Sequence, residues 1–173
     1  GLYDNTLIIF TSDNGPTFNG GTDSPWFDSA KPFRSELGRG KGFVYEGGIR
    51  VPMIATWPGS IKAGTTTDHI SAHYDVMATL ADVAGYEAPK YTDGISFLPT
   101  LLAGEQEKKH DFLYWEFPEP KLELFNLKTD LKETTNVADQ HPEILEKAAK
   151  ILQSQHTEPT IEKFRIPALS DGL

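Results

Sequence analysis

The chain has 173 residues, with 16 basic and 25 acidic side chains, a net charge of −9, 38% hydrophobic residues and no cysteine. That is enough chain for a domain with a core, and its composition is ordinary for a globular protein. The acidic balance and the lack of any Lys/Arg cluster argue against nucleic acid and anionic membranes as partners. The missing cysteine excludes disulfides, thiol catalysis and Cys-type zinc sites within these residues, and no apolar run is long enough for a transmembrane helix.

Residues 7–10, Leu7-Ile8-Ile9-Phe10, are four apolar residues bounded by turn chemistry. They predict a fully buried strand of the kind found inside a parallel sheet. So short a lead-in to a buried strand gives the expectation of a fragment that begins in mid-fold, with no signal peptide visible. The strand stops on Asp13 and Asn14, and Gly15-Pro16 forces a turn. Ligands of open α/β sheets bind at the carboxyl ends of strands. Asp13 and Asn14 are therefore candidate metal ligands, two hard oxygen donors suited to Ca²⁺ or Mg²⁺. An ordinary Asx turn accounts for the same residues.

Residues 17–31 read as a long loop carrying Phe18, Trp26 and Phe27, aromatics that either pin the loop to the body or line a substrate pocket. Five glycines then fall between residues 38 and 48. That density predicts backbone conformations a Cβ forbids, or a close approach of backbone to a ligand. Lys41 lies between Gly40 and Gly42, so its ammonium can enter a tight site. The Walker phosphate loop is excluded, because Phe43 follows Gly42 and no hydroxyl residue follows Lys41.

The run Gly40-Lys41-Gly42-Phe43-Val44-Tyr45-Glu46-Gly47-Gly48-Ile49-Arg50-Val51-Pro52 resembles the Lys-containing signature of type I sulfatases. The earlier Phe10-Thr11-Ser12-Asp13-Asn14-Gly15 matches the strand and Asp-Asn pair of the same family, in the same order. The resemblance implies an α/β fold: the C-terminal part of an alkaline-phosphatase-like α/β/α sandwich over residues 1–105, then a small antiparallel sheet packed with a C-terminal helix over 106–173. It implies that Asp13 and Asn14 give oxygens to an active-site Ca²⁺, and that Lys41 binds the sulfate group and stabilises charge on the leaving side. Arg39 stands on a second list as a substrate contact. Tyr45, Glu46 and Arg50 match family positions and read as scaffold, Arg50 pairing with a carboxylate such as Glu46. The implied activity is hydrolysis of an aryl or carbohydrate sulfate by a periplasmic or secreted enzyme with a formylglycine nucleophile. The implied partners are a sulfated small molecule or carbohydrate and the rest of the sulfatase chain.

Residues 51–58 predict a second strand. Residues 69–85 predict an amphipathic helix with its lead-in, with Tyr74, Met77, Leu80 and Ala84 on one face and Gly85 as its stop. His69 and His73 are one helical turn apart and read as structural or capping residues. Residues 93–104 match the family as a turn and short helix, and residues 105–111 read as a charged linker. Aromatic alternation predicts strands at 112–117 and 123–127. Family chains commonly carry one or two further strands between the equivalents of Pro118 and Leu122. Residues 141–152 form the best helix, with Pro142 in its first turn and an apolar stripe of Ile144, Leu145, Ala148, Ile151 and Leu152. The tail from residue 156 reads as extended, tied down by Phe164, Ile166 and Leu169.

The family's Cys/Ser-x-Pro-x-Arg nucleophile motif does not occur in these residues, nor do the N-terminal aspartates and the histidines of its site. The chain alone is therefore expected to hydrolyse no sulfate ester and to bind calcium weakly, with two protein oxygens against the six to eight that Ca²⁺ prefers. Two other readings stay open: a phosphoesterase of the same superfamily, and a non-catalytic binding module on the sulfatase scaffold.

Overall fold

The computed structural model describes residues 1–117 and 122–170. The short link Glu119-Pro120-Lys121, which stands where family chains commonly carry further strands, falls outside the described residues. The fold is α/β, and the chain divides into two compact units: Gly1–Thr11 with Pro52–Leu113, and Ser12–Val51 with the chain from Tyr114 onward.

In the first unit, β1 (Ile8–Thr11) pairs antiparallel with β2 (Met53–Thr56), with Ile8 opposite Thr56 and Thr11 opposite Met53. The prediction of a fully buried parallel strand is thus corrected. Ile8 and Phe10 point to the exposed face, while Ile9 and Thr11 alternate with them as half-buried residues. Four apolar residues in a row do not distinguish a strand covered on both faces from one covered on a single face, because strand side chains alternate whatever their polarity. The Thr11 hydroxyl donates to the Pro52 carbonyl at 2.9 Å and closes the end of the ribbon.

Helix α3 (Asp75–Val83) ends before Gly85, which adopts φ +74°. The helix begins after His69 and His73, so the two histidines do not share a helical turn. Its buried face also differs from the predicted stripe. Met77 and Leu80 are exposed, while Asp75, Ala78 and Thr79 are buried. The cause is hydrogen bonding. The segment from Ile95 to Phe97 packs on the helix and has no sheet partner among the described residues, so its N–H groups need other acceptors. The Asp75 carboxylate accepts from Ile95 N at 2.8 Å and from Ala72 N at 2.7 Å; Thr79 Oγ1 accepts from Phe97 N at 3.1 Å and donates to Asp75 O at 2.8 Å. Phe97, 1% exposed, fills the space beside them. Short helix α4 (Leu98–Leu101) follows, with Pro99 in its first turn. The charged segment after it is held by Gln106, whose amide donates to Ser96 O at 3.0 Å, and by His110 Nε2, 2.7 Å from Asp75.

In the second unit the long loop contains a short helix, α1 (Ser24–Phe27), capped by Asp23, whose carboxylate accepts from Trp26 N at 3.1 Å. Trp26 and Phe27 contact each other edge to face at 4.8 Å and are both exposed, so neither pins the loop. Phe18 lines a cavity of about 290 Å³ together with Ser24, Pro32 and Phe33. Helix α2 (Glu46–Ile49) lies in the glycine-rich run, and α5 (Pro142–Gln155) is the long C-terminal helix. Leu145, Ala148, Ile151 and Leu152 are half-buried as predicted, whereas Ile144 is exposed.

The predicted strands at 112–117 and 123–127 carry no strand pairing among the described residues. The second is instead bonded to its own following turn. Leu124 N donates to Asn136 Oδ1 at 3.0 Å, and Leu124 O accepts from Val137 N at 2.8 Å. The tail is not wholly extended either. It forms a 3₁₀ turn (Glu162–Phe164) and α6 (Pro167–Ser170), anchored by buried Ile166, with Phe164 exposed.

His156, just past α5, stands between two carboxylates, Nδ1 2.9 Å from Glu116 and Nε2 2.9 Å from Glu158. Glu158, followed by Glu116, raises its pKa above the usual 6.5. A raised folded-state value means that this stabilisation is fully present below the unfolded pKa and is lost as pH rises through the folded one. NMR titration is expected to put the His156 midpoint above 6.5 and to bring it down in Glu158→Gln. A wild-type midpoint at or below 6.5 would mean that the two ion pairs do not form in solution.

Candidate active site

The two predicted motifs meet through their backbones. Gly15 N donates to Gly48 O at 2.9 Å, and Lys41 N donates to Pro16 O at 2.9 Å. The glycines make this possible. A Cβ on Gly15 would overlap the Gly47 carbonyl, and one on Gly47 would overlap the Arg34 carbonyl. The predicted close approach is therefore of backbone to backbone, and it sets the 13–16 turn against the 40–48 run. Gly42, just after Lys41, adopts φ +88° with open space around it, so here a left-handed turn is what requires glycine.

Within the turn, Ser12 Oγ donates to Asn14 O at 2.8 Å and Asn14 Nδ2 donates to Gly15 O at 2.9 Å. The second bond commits the amide nitrogen and leaves Oδ1 as the accepting end. Asp13 and Lys41 are exposed, and neither side chain has a hydrogen bond or ion pair among the described residues. The donors fit a hard cation in kind, a carboxylate beside an amide oxygen. Among the described residues no group of three or more His, Asp or Glu side chains gathers that could hold a metal.

Arg39 is enclosed rather than open. Its guanidinium lies 4.1 Å from the Tyr45 ring centre and 5.8 Å from that of Phe125, and Nη1 is 3.8 Å from Glu133 Oε2. The same Glu133 oxygen accepts from Glu46 N at 3.1 Å. Glu133 is 6% exposed. Burial pushes its carboxyl above the ordinary range, against the opposing pull of the Glu46 N–H and Arg39. The Tyr45 hydroxyl donates to Glu123, which together with burial raises the phenol's pKa. Arg50 Nη1 pairs with Glu46 at 2.7 Å, as the sequence suggested, and its guanidinium lies 5.0 Å from the Phe33 ring centre.

Sequence reasoning missed Glu123 and Glu133. Glu123 opens a predicted strand where it reads as the solvent-facing residue, and Glu133 sits in a polar stretch with nothing local to mark it as buried. A signal is present only in retrospect: Asp130 accepts from Thr134 N at 2.8 Å and Thr135 N at 2.9 Å, and Glu133 adopts φ +52° inside that turn.

A family model described as "N-sulphoglucosamine sulphohydrolase, C-terminal" matches residues 39–122. Arylsulfatase A of Homo sapiens is 37% identical over 131 residues, 75% of this chain and 24% of that protein. N-acetylgalactosamine-6-O-sulfatase of Bacteroides thetaiotaomicron is 29% identical over 192 residues, 90% of this chain and 37% of that protein. A solved B. thetaiotaomicron structure concerned with the metabolism of multiple glycosaminoglycans superposes with a TM-score of 0.65 at 28% identity, covering 88% of this chain and 39% of that one. The chain thus spans well under half the length of these proteins, and its fold is that of the alkaline-phosphatase-like sulfatases. Both motifs, their order and these likenesses agree in supporting a C-terminal part of a sulfatase.

Proposed function

We propose that this chain is the C-terminal part of an enzyme that hydrolyses a sulfate ester on an aryl or carbohydrate group. In this reading residues 1–105 complete the catalytic domain and 106–173 form the C-terminal subdomain. The observation that supports it most is the double backbone tie, Gly15 N to Gly48 O and Lys41 N to Pro16 O, which holds the Asp-Asn turn and the lysine loop together. The Lys41 ammonium binds the sulfate oxygens and stabilises negative charge as it builds toward the leaving oxygen. Asp13 and Asn14 Oδ1 would hold Ca²⁺. When bound, a hard dication supplies neutralising charge for an anionic sulfuryl group. A formylglycine nucleophile and the remaining calcium ligands belong to residues outside these 173. The names of the relatives favour a carbohydrate or aryl sulfate as substrate. A periplasmic or secreted location goes with the same reading; among the described residues no helix is long and apolar enough to cross a membrane.

The test is the sequence and intact mass of the parent polypeptide upstream of Gly1. A Cys/Ser-x-Pro-x-Arg motif carrying the mass change of formylglycine is expected. In that protein Lys41→Ala should lower kcat/KM on an aryl sulfate by about 10²–10³-fold, the scale on which removing one preorganised charge-stabilising donor acts. The isolated 173-residue chain should show no turnover and calcium affinity weaker than micromolar. A Ser or Thr nucleophile amid His and Asp upstream would make the protein a phosphoesterase instead, and an absence of any nucleophile would leave a binding module.

A further inference from the structure

The loop that carries Lys41 is held at both ends by one carboxylate. At its entry, Arg39 Nη1 lies 3.8 Å from Glu133 Oε2, and at its exit Glu46 N donates to that same oxygen at 3.1 Å. Two further contacts close the exit: the Tyr45 hydroxyl donates to Glu123, and the Tyr45 ring meets Phe125 at 6.4 Å. Between these ends the chain turns through Gly42 and Phe43 N bonds to Gly40 O at 3.2 Å. The Lys41 side chain itself has no partner among the described residues to fix it. Within the described residues, what places its ammonium acts through the loop's feet.

Glu133 is itself built for one position. It is a non-glycine residue at φ +52°, held there by the Asp130 turn, into which its own N–H donates at 3.1 Å. A left-handed residue of this kind costs energy and persists only where its surroundings fix it. Arg39 Nη1 is buried and makes no hydrogen bond among the described residues, so the Glu133 carboxylate beside it, with the Tyr45 ring, is what compensates that cation.

We propose that Glu133 is a positioning residue for Lys41, latching both feet of the lysine loop so that its ammonium is preorganised for an anionic group. This rests on the reading of Lys41 as the sulfate-binding residue, and the test separates the two. Wild type, Glu133→Ala, Glu133→Gln, Tyr45→Phe and Lys41→Ala are compared by amide hydrogen exchange and by titration with inorganic sulfate, followed at the Lys41 amide by NMR. Circular dichroism verifies that α5 is retained. In Glu133→Ala the amides of residues 39–46 should exchange about tenfold faster or more, with α5 amides unchanged. Sulfate affinity should fall several-fold. Glu133→Gln keeps an acceptor for Glu46 N–H but loses the charge facing Arg39, so it should recover part of both effects. Tyr45→Phe, which leaves Glu133 intact, should loosen the loop less than Glu133→Ala.

Wild-type exchange in residues 39–46 of both Glu133 variants overturns the latch. Sulfate affinity lowered by Lys41→Ala but not by Glu133→Ala shows that the latch does not position the lysine, and overturns the proposal. Sulfate affinity unchanged by Lys41→Ala overturns the sulfate-binding reading, while the exchange result still decides whether the loop is latched. If Glu133→Ala loses α5, the Glu133→Gln and Tyr45→Phe results decide alone.

Discussion

Gly47→Ala is expected to destabilise the second unit by about 3 kcal/mol or more, a large share of the 5–15 kcal/mol that holds a typical domain folded. The direction runs against propensity. Gly47 lies inside helix α2, where alanine is ordinarily the better residue by about 0.5–1 kcal/mol. Here a Cβ would overlap the Arg34 carbonyl and lie 3.1 Å from the Arg39 carbonyl. Both are backbone atoms that no rotamer change can move. The 34–39 segment would have to move away from helix α2, and its packing against the glycine-rich run would be lost. Gly42→Ala is the internal control. It needs φ +88° but meets open space, so its cost should be only about 1 kcal/mol, the strain of a left-handed non-glycine residue. Urea denaturation of the three proteins checks the pair. A midpoint for Gly47→Ala no lower than that for Gly42→Ala would mean that the backbones do not pack as described.

This contrast shows how far the sequence was readable. A cluster of glycines announces that side chains are not tolerated, but it does not say whether a ligand, a tight turn or another backbone is the reason. All but one of the glycines from 40 to 48 answer to backbone contact, and Gly42 to a turn. The Arg50–Glu46 pair was legible because its i,i+4 spacing is local and helical. Asp13 and Asn14 stood out by chemical type at the end of a predicted strand, and Lys41 by its place within the glycine-rich run. Glu133 was not legible, since its burial depends on Arg39 and Glu46 far away in the chain. The face of α3 was misread for a related reason. Hydrophobic periodicity assumes that the core is apolar, whereas this helix meets a segment with unpaired N–H groups and buries Asp75 and Thr79 to satisfy them. Phe10 failed for the opposite reason, an apolar residue placed on the exposed face of a two-stranded ribbon.

Asp75 is where the cost of that polar interior should be largest. The carboxylate is 1% exposed and accepts from two backbone N–H groups, Ala72 at 2.7 Å and Ile95 at 2.8 Å, and faces His110 Nε2 at 2.7 Å. Asp75→Ala removes every one of these acceptors and leaves buried donors unpaired, each worth about 1–3 kcal/mol. With the Ala72 and Ile95 N–H groups both left without an acceptor, the variant is expected to lose about 2–6 kcal/mol of stability. Asp75→Asn is the sharper probe. If its amide oxygen keeps the Oδ1 position facing Ile95 and His110, its NH₂ must face the Ala72 N–H, donor against donor. Reversing the amide sets that clash against Ile95 instead. The isosteric change should therefore cost about 2 kcal/mol, although nothing is lost in volume. His110→Ala leaves both backbone bonds in place and should cost less than either. The ordering Ala, then Asn, then His110→Ala, read from denaturation midpoints, is what distinguishes a carboxylate that organises the Ile95–Phe97 segment from one that merely pairs with histidine. If His110→Ala proves as damaging as Asp75→Ala, the contact with His110 rather than the backbone bonds holds this interior together.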